Sequence, residues 1–422
     1  MMYLFFYEII IRCLIPFALA KIFYRALISS DHLNHFNERL GFYSKQKKSF
    51  WKNKQIIWLH CVSVGETKAI NNLIEVILKK FPQTHLLISH GTLTGRKTKL
   101  PKSTRIHRTF LPYDTSSAVK RFLSYYQPKI GLIVETELWF NLINQCKLHQ
   151  IPLHLINARL SEKSLKKYLP FKKFINTRLL QLDSIYVRAR EDATNFSSLT
   201  KARIRIMGNI KFDSKAPKNT LIKSNQLKKK LKITNQFVLV AGSTRAGEEE
   251  ILIRLVKKLN YKNLILIVVP RHPDRFNEVE KLFSKQNLSI LRKSKLGKIE
   301  KPSNYILGDT MGDLYEIYSI ASLAIIGGSI LNHGGQNPIE PMSLGIKTVV
   351  GPSIYNFKDI VNDAEKNRAI LRFRNINQLE ELLKNIITSK ETKKYIVNNA
   401  KQYIKNSSGS TNKIIQLITQ YF

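Results

Sequence analysis

Short apolar runs recur along this chain at strand spacing, and most end in a polar, often glycine-bearing turn before a helical stretch begins. Residues 56–60 (Ile-Ile-Trp-Leu-His) lead into Cys61-Val62-Ser63-Val64-Gly65-Glu66, from which a helix is expected to run to roughly Lys80. Residues 86–89, 130–134 and 153–156 read as further strands of the front half. Residues 237–241, 264–269, 305–307, 323–326 and 348–350 repeat the scheme behind them. Strands that alternate with helices pair in parallel, because each helix carries the chain back across the sheet and covers one of its faces. The chain is therefore expected to be α/β and doubly wound. At 422 residues it is too long for one typical core, so two domains are expected.

Ligands of such sheets bind outside the carboxyl ends of the strands. In the front half those ends carry residues 60–66, 91–95, Glu135-Thr136-Glu137 and Asn157-Ala158-Arg159-Leu160-Ser161. In the back half they carry residues 242–247, 270–275, 308–313 and 327–340. The last loop opens with Gly327-Gly328-Ser329 and continues to His333-Gly334-Gly335-Gln336-Asn337-Pro338-Ile339-Glu340. Its glycines are expected to bare backbone N–H groups at a helix start, an anion site, with Glu340 placed to accept hydrogen bonds from sugar hydroxyls. That combination points to a nucleotide-activated sugar. No Asp-X-Asp pair and no His/Cys cluster with ligand spacing is present. Charge on a departing phosphate would then fall to Arg245, Arg271, Arg275 and helix N-termini, with no metal and no cofactor.

The net charge of +39, spread over both halves, implies an anionic neighbour. Three cysteines, Cys13, Cys61 and Cys146, are too widely spaced for a disulfide framework and fit a reducing compartment. The first 28 residues are apolar and aromatic but carry Glu8, Arg12, Lys21 and Arg25. Those charges disfavour a clean span and favour a helix lying in a membrane interface, with Arg12 and Arg25 snorkelling. A second basic-aromatic stretch, 163–178, holds Lys163, Lys166, Lys167, Lys172, Lys173 and Arg178 among Leu165, Tyr168, Leu169, Phe171 and Phe174, and Pro170 interrupts it.

Several motifs, read together, resemble the Kdo transferases, the 3-deoxy-D-manno-octulosonic acid transferases that act on lipid IV-A. They are Glu38-Arg39-Leu40-Gly41, Trp58-Leu59-His60-Cys61-Val62-Ser63-Val64-Gly65-Glu66, Leu111-Pro112-Tyr113-Asp114 and Glu135-Thr136-Glu137-Leu138-Trp139. Asn157-Ala158-Arg159-Leu160-Ser161, Pro270-Arg271-His272-Pro273-Asp274-Arg275 and Gly308-Asp309-Thr310-Met311-Gly312 follow, then residues 328–352 with Asn356-Phe357. The resemblance spans almost the whole chain and implies a GT-B glycosyltransferase of two Rossmann-like domains facing a cleft. Residues 208–220, with Pro217 and several polar residues, read as the linker, and residues 1–30 as the membrane-associating helix; the resemblance then implies a lipid-acceptor domain over 31–207 and a CMP-Kdo domain over 221–422 whose last helix packs back on the front domain. By the same likeness Glu38 is the catalytic base, and Glu137 or Glu135 a second functional carboxylate. Arg271 contacts CMP and Glu340 its ribose, with Ser243, Arg245, Pro270, Gly308, Met311, Gly328, Ser329 and Asn337 completing the donor side. Ser63, Gly65, Glu66, Glu135, Arg159 and Ser161 line the acceptor side. Phe140 and Cys61 depart from the family's usual residues without replacing a chemical group.

The implied reaction is inverting transfer of Kdo from CMP-Kdo to the 6′-hydroxyl of the lipid A precursor, in lipopolysaccharide core biosynthesis. The implied location is the cytoplasmic face of the bacterial inner membrane, against its anionic surface and away from nucleic acid. Two other readings stand beside it: a GT-B transferase for a different nucleotide sugar, and a non-catalytic basic protein that binds nucleic acid or membrane.

Overall fold

The computed structural model describes residues 2–44, 48–296, 303–388 and 394–422; Met1, where the apolar segment starts, lies outside them. The chain divides into two compact units, Met1–Ser214 with Ser408–Phe422, and Lys215–Ser407.

The first unit holds seven parallel strands: β1 (Gln55–Cys61), β2 (Thr84–His90), β3 (Ile106–Phe110), β4 (Ile130–Val134), β5 (Leu153–Ala158), β6 (Ser184–Val187) and β7 (Ile204–Ile206). Their order is β3-β2-β1-β4-β5-β6-β7, so the winding reverses between β1 and β4, where Leu59 pairs with Leu132. β1 is buried from Ile56 to Cys61 and β4 throughout, as strands covered on both faces must be. One covering layer packs Phe122, Leu142 and Phe196 on Trp58, whose indole N–H donates to Ser89 Oγ at 2.8 Å. Gly131 on β4 makes room for that ring, since a Cβ there would sit 2.7 Å from it. The opposite layer packs Leu73 and Ile77 of the amphipathic helix Asn71–Lys80 on Ile57 and Leu59.

The second unit repeats the plan with β8 (Phe237–Thr244), β9 (Leu264–Pro270), β10 (Leu291–Arg292), β11 (Tyr305–Leu307), β12 (Leu323–Ile326), β13 (Thr348–Val350) and β14 (Leu371–Arg372). The order β10-β11-β9-β8-β12-β13-β14 reverses between β8 and β12. Leu252, Val256, Phe283 and Leu379 cover one face, Leu227, Ile317 and Tyr318 the other.

The nine strands expected from the sequence are all present, four with the expected bounds and five longer by one to three residues. β3, β6, β7, β10 and β14 are additions. β3 (Ile-His-Arg-Thr-Phe) is polar along its exposed half and gives no apolar run. The expected helix from Gly65 to Lys80 is interrupted at Ile70, where Val64–Ala69 ends and Asn71–Lys80 begins.

The stretch read as a linker, 208–220, is not open chain. Ile210 and Phe212 are buried in a 3-10 turn, Ile210–Asp213. The chain leaves the first unit after Ser214 and re-enters it at Ser408. The helix Ser410–Thr419 then buries Ile414, Ile415, Leu417 and Ile418 in the first unit's core, each contributing about 1.5–3 kcal/mol. Asp213 caps that helix by accepting from the N–H groups of Gly409 (2.7 Å) and Thr411.

The N-terminal helix, α1 (Met2–Ile28), belongs to the first unit as well. Tyr7 donates to Asp114 at 2.8 Å, and Glu8 Oε2 accepts from Asn141 Nδ2 (2.7 Å) and the Ser116 N–H (3.0 Å). Arg12 pairs with Glu8 at 2.7 Å while remaining 58% exposed. The helix nonetheless leaves Phe5, Phe6, Ile10, Leu14, Phe17 and Leu27 exposed, Phe17 by 74% and Leu27 by 85%.

Candidate active site

Because both sheets are parallel, every strand end named above falls on one edge of its sheet, and the candidate residues gather there. At the β1/β4 reversal of the first unit stand Glu66, Glu135 and Glu137. Ser63 caps the helix Val64–Ala69 and shares a capping box with Glu66: Ser63 Oγ donates to Glu66 Oε1 at 2.7 Å and accepts from its N–H at 3.3 Å. The Val62 N–H donates to Glu66 Oε2 at 2.7 Å. Burial is the main cause that raises the Glu66 pKa, and the charge of Glu135 adds to it. Glu135 is held at φ 63, a left-handed conformation uncommon outside glycine, with its N–H on Ile156 O at 2.9 Å and Oε1 3.7 Å from Lys211 Nζ.

Glu137 makes no side-chain hydrogen bond among the described residues. Burial, then the charges of Glu66 and Glu135, push its pKa up to about 7. A carboxyl poised near neutrality can give or take a proton at working pH. Around this group, Gly65 is exposed, Arg159 is exposed with its N–H on Thr136 Oγ1 at 2.8 Å, and Ser161 caps the helix Glu162–Tyr168.

Glu38 lies apart from that trio, on the short helix Phe36–Arg39 beside the end of β3. Its Oε2 accepts from Arg96 Nη1 (2.6 Å), the Phe110 N–H (2.8 Å) and Thr109 Oγ1 (3.1 Å). His35 Nδ1 stands 2.9 Å from Oε1. The carboxylate is thus locked in place from three elements, with Oε1 the oxygen nearer solvent-exposed groups.

In the second unit Ser243 occupies φ 60 at the irregular end of β8, where β12 crosses so closely that a Cβ on Gly327 would sit 2.4 Å from the Ser243 carbonyl. Arg245 and Arg271 are half-exposed; Arg245 reaches His272 Nε2, and the Arg271 side chain has no hydrogen bond or ion pair among the described residues. Pro270 and Gly308 are buried wall, and Met311 is exposed. Asn337 Nδ2 donates to Glu340 Oε1 at 3.2 Å, fixing that carboxylate at the start of the helix Ile339–Ser343.

Three expectations are corrected. Part of the donor set expected of the 327–340 loop is already taken: the N–H groups of Gly328 (2.6 Å), Ile330 (2.9 Å) and Leu331 (3.3 Å) donate to the carboxylate of Glu248, as does that of Arg245 (2.9 Å). The anion held there is the protein's own, and Gly328 is buried beneath it. Ser329 is wholly buried, its hydroxyl donating to Ile326 O (2.5 Å) and accepting from the Gly351 N–H (2.8 Å), so that hydroxyl braces the loop. Arg275 is withdrawn from phosphate binding by a forked ion pair with buried Glu249, at 2.7 and 3.1 Å. Glu248 is the residue that sequence reasoning overlooked. A carboxylate at a helix start looks like dipole compensation, and only the returning β12 loop reveals what it holds.

Among the described residues no three His, Cys, Asp or Glu side chains converge as metal ligands would.

Residues 34–214 match the family described as 3-deoxy-D-manno-octulosonic-acid transferase (kdotransferase), and residues 250–403 match glycosyl transferases group 1. The chain is similar to the 3-deoxy-D-manno-octulosonic acid transferase of Haemophilus influenzae, with 31% identity covering 100% of this chain and 99% of that protein. The Rickettsia bellii enzyme of the same name is 29% identical over 97% of each. UDP-GlcNAc 2-epimerase from Neisseria meningitidis, 14% identical, covers 87% of this chain and 100% of its own with a TM-score of 0.56, a likeness of fold alone. The two doubly wound domains are those of the GT-B class.

Proposed function

The chain belongs to the Kdo transferase family, a family of glycosyltransferases, and from that premise we propose that it transfers Kdo from CMP-Kdo to the 6′-hydroxyl of a lipid A precursor with inversion. The observation that carries this reading is the full-length similarity to the Haemophilus influenzae enzyme. The carboxylates and cations found at the strand ends supply groups suited to the chemistry. Glu38 takes the proton from the acceptor hydroxyl as its oxygen bonds to C2 of Kdo. The bond from C2 to the CMP phosphate breaks, and the electron pair leaves with CMP. Arg271 and Arg245 meet the negative charge gathering on that phosphate, and Glu340 accepts from the ribose hydroxyls. Glu137 is the second functional carboxylate. No metal or cofactor enters this scheme, and EDTA is expected to leave turnover unchanged; a strict divalent requirement would overturn it.

The chain works, in this reading, at the cytoplasmic face of the inner membrane. Support comes from the exposed apolar side of α1 and from Lys163, Lys166, Lys167, Lys172 and Lys173, all exposed on the neighbouring segment. Tyr3 meets Phe174 (6.0 Å), and Tyr7 meets Phe140 (5.2 Å), which itself packs on Phe174 (4.8 Å), so the two stretches adjoin. Each basic residue near an anionic leaflet contributes about 1 kcal/mol.

The test is purified full-length protein with CMP-Kdo and a tetra-acylated lipid A precursor, the products being read by mass spectrometry. Addition of Kdo by the wild type and none by Glu38→Ala, which still binds CMP-Kdo, is the expected outcome. Transfer from a UDP-sugar instead, or wild-type turnover in Glu38→Ala, would reject the donor or the base respectively.

A further inference from the structure

The motif Leu111-Pro112-Tyr113-Asp114 takes no part in the proposed chemistry, yet it runs between the two carboxylate positions of the first unit. Its start is tied to Glu38: the Phe110 N–H donates to Glu38 Oε2 at 2.8 Å, and the Tyr113 N–H to the Arg39 carbonyl at 2.8 Å. Its end is tied to the helix Phe140–Leu148, which follows directly on the turn that carries Glu137. That helix has no cap of its own, since Trp139 at its N-cap offers no side-chain oxygen. Asp114, 4% exposed, supplies the cap from a distant strand end, accepting from the N–H groups of Asn141 (3.0 Å) and Leu142 (2.8 Å). The Asn141 amide in turn donates to the Asp114 carbonyl at 2.5 Å. Helix α1 closes the network. Tyr7 donates to Asp114 Oδ2, and Glu8 accepts from Asn141 and from the Ser116 N–H, which opens the helix Ser116–Tyr126.

We propose that Asp114 is a positioning residue that holds the turn of Glu137 in register with Glu38, and that Tyr7 and Glu8 make α1 part of the same support. The front of the turn is already fixed, by the Glu135 N–H on the Ile156 carbonyl and by Thr136 Oγ1 on the Arg159 N–H. Its back is fixed only where Asp114 caps the following helix. Glu137 has no side-chain hydrogen bond among the described residues, so this backbone frame decides where its carboxyl stands. Such support matters because a displacement of about 1 Å can cost about a hundredfold in rate. An anchor for α1 alone could fall on any helix. These contacts fall on the starts of the two helices that follow β3 and β4, the strands whose ends bear on Glu38 and Glu137. The inference rests on the roles proposed for those two carboxylates.

The charges that act on Glu137 come from Glu66 and Glu135, and the Tyr168 hydroxyl faces it from the helix Glu162–Tyr168; Asp114, Tyr7 and Glu8 are not among them. A change in the Glu137 titration when the network is cut therefore reports a change of place. The experiment is a pH titration by NMR of the full-length protein with isotope-labelled glutamate carboxyls, the Glu137 signal being assigned by its loss in Glu137→Gln. Glu137 is expected to titrate at about 7 in the wild type. In Asp114→Asn and in Tyr7→Phe it is expected to move toward the ordinary carboxyl value of about 4.3. In transfer assays kcat is expected to fall about a hundredfold in Asp114→Asn and about tenfold in Tyr7→Phe, with the limb of its pH profile near 7 following Glu137 and the KM for CMP-Kdo unmoved. Ile414→Ala, which loosens the same unit without touching this network, should leave the Glu137 titration in place. An unmoved titration in both variants, or an equal move in Ile414→Ala, overturns the positioning role and leaves Asp114 an anchor for α1 alone. If Asp114→Asn does not fold, Tyr7→Phe decides. Should the wild type transfer no Kdo at all, the proposed reaction fails, while the carboxyl titration still decides the positioning.

Discussion

At the scale of single residues, three carboxylates illustrate how one side chain type takes different work from its surroundings. Glu248 is wholly buried and raised in pKa by that burial, yet four backbone N–H groups hold it between the ends of β8 and β12. Glu248→Ala leaves those donors unpaired, and a loss of about 3 kcal/mol in stability is expected, with weakened CMP binding, readable by denaturant titration and calorimetry. Glu137 has no such partners. Its pKa of about 7 lies above the ordinary carboxyl range, so the fold favours the protonated form, and stability present at low pH is lost as pH rises through 7. Glu137→Gln should therefore raise the melting temperature at pH 8, by roughly 1–2 kcal/mol of stability after allowance for partial exposure, and leave it unchanged at pH 4. An equal shift at both pH values would show that charge is not the cause. Glu38 differs again, locked by Arg96, Thr109 and Phe110. Its motif was legible in the sequence, but Arg96 and Thr109 lie 58 and 71 residues away along the chain, and no local pattern announces them.

At the scale of elements, most strands covered on both faces were legible because burial on two sides demands an unbroken apolar run; β6 is the exception, wholly buried but only four residues long and opening on a serine. Edge strands were not legible, since one side of them tolerates His107, Arg108 or Arg205. The last helix carries an amphipathic pattern that says it packs, though not on what. Ile414→Ala is expected to cost about 2–4 kcal/mol, because Ile414 is fully buried against the first unit's core. The unfolding signal of the first unit should move and that of the second should not. For α1, a composition long and apolar enough to cross a membrane coexists with polar anchors at Tyr7 and Glu8. Tyr7→Phe with Glu8→Gln should loosen the helix, seen as faster proteolysis near residue 28, while CMP-Kdo binding persists.

At the scale of the whole molecule, a charge of +39 is far more than the ion pairs between side chains use. Association with anionic vesicles should weaken steeply as salt rises, because exposed charges are screened beyond about 8 Å at physiological ionic strength. Replacing Lys166, Lys167, Lys172 and Lys173 by Glu should reduce that association without altering CMP-Kdo binding. An unchanged partition would place the membrane contact elsewhere. The sequence by itself determined two doubly wound sheets, and it marked the strand ends where polar residues gather, since periodicity and glycine-bearing turns are local properties. Only the tertiary structure decided which of those groups are free. Three N–H donors of the glycine loop were claimed by Glu248 and Arg275 by Glu249, while Glu137 found no side-chain partner among the described residues. Whether a buried polar group finds a partner depends on chain brought in from distant positions, and that pairing separates a ligand-binding residue from a brace.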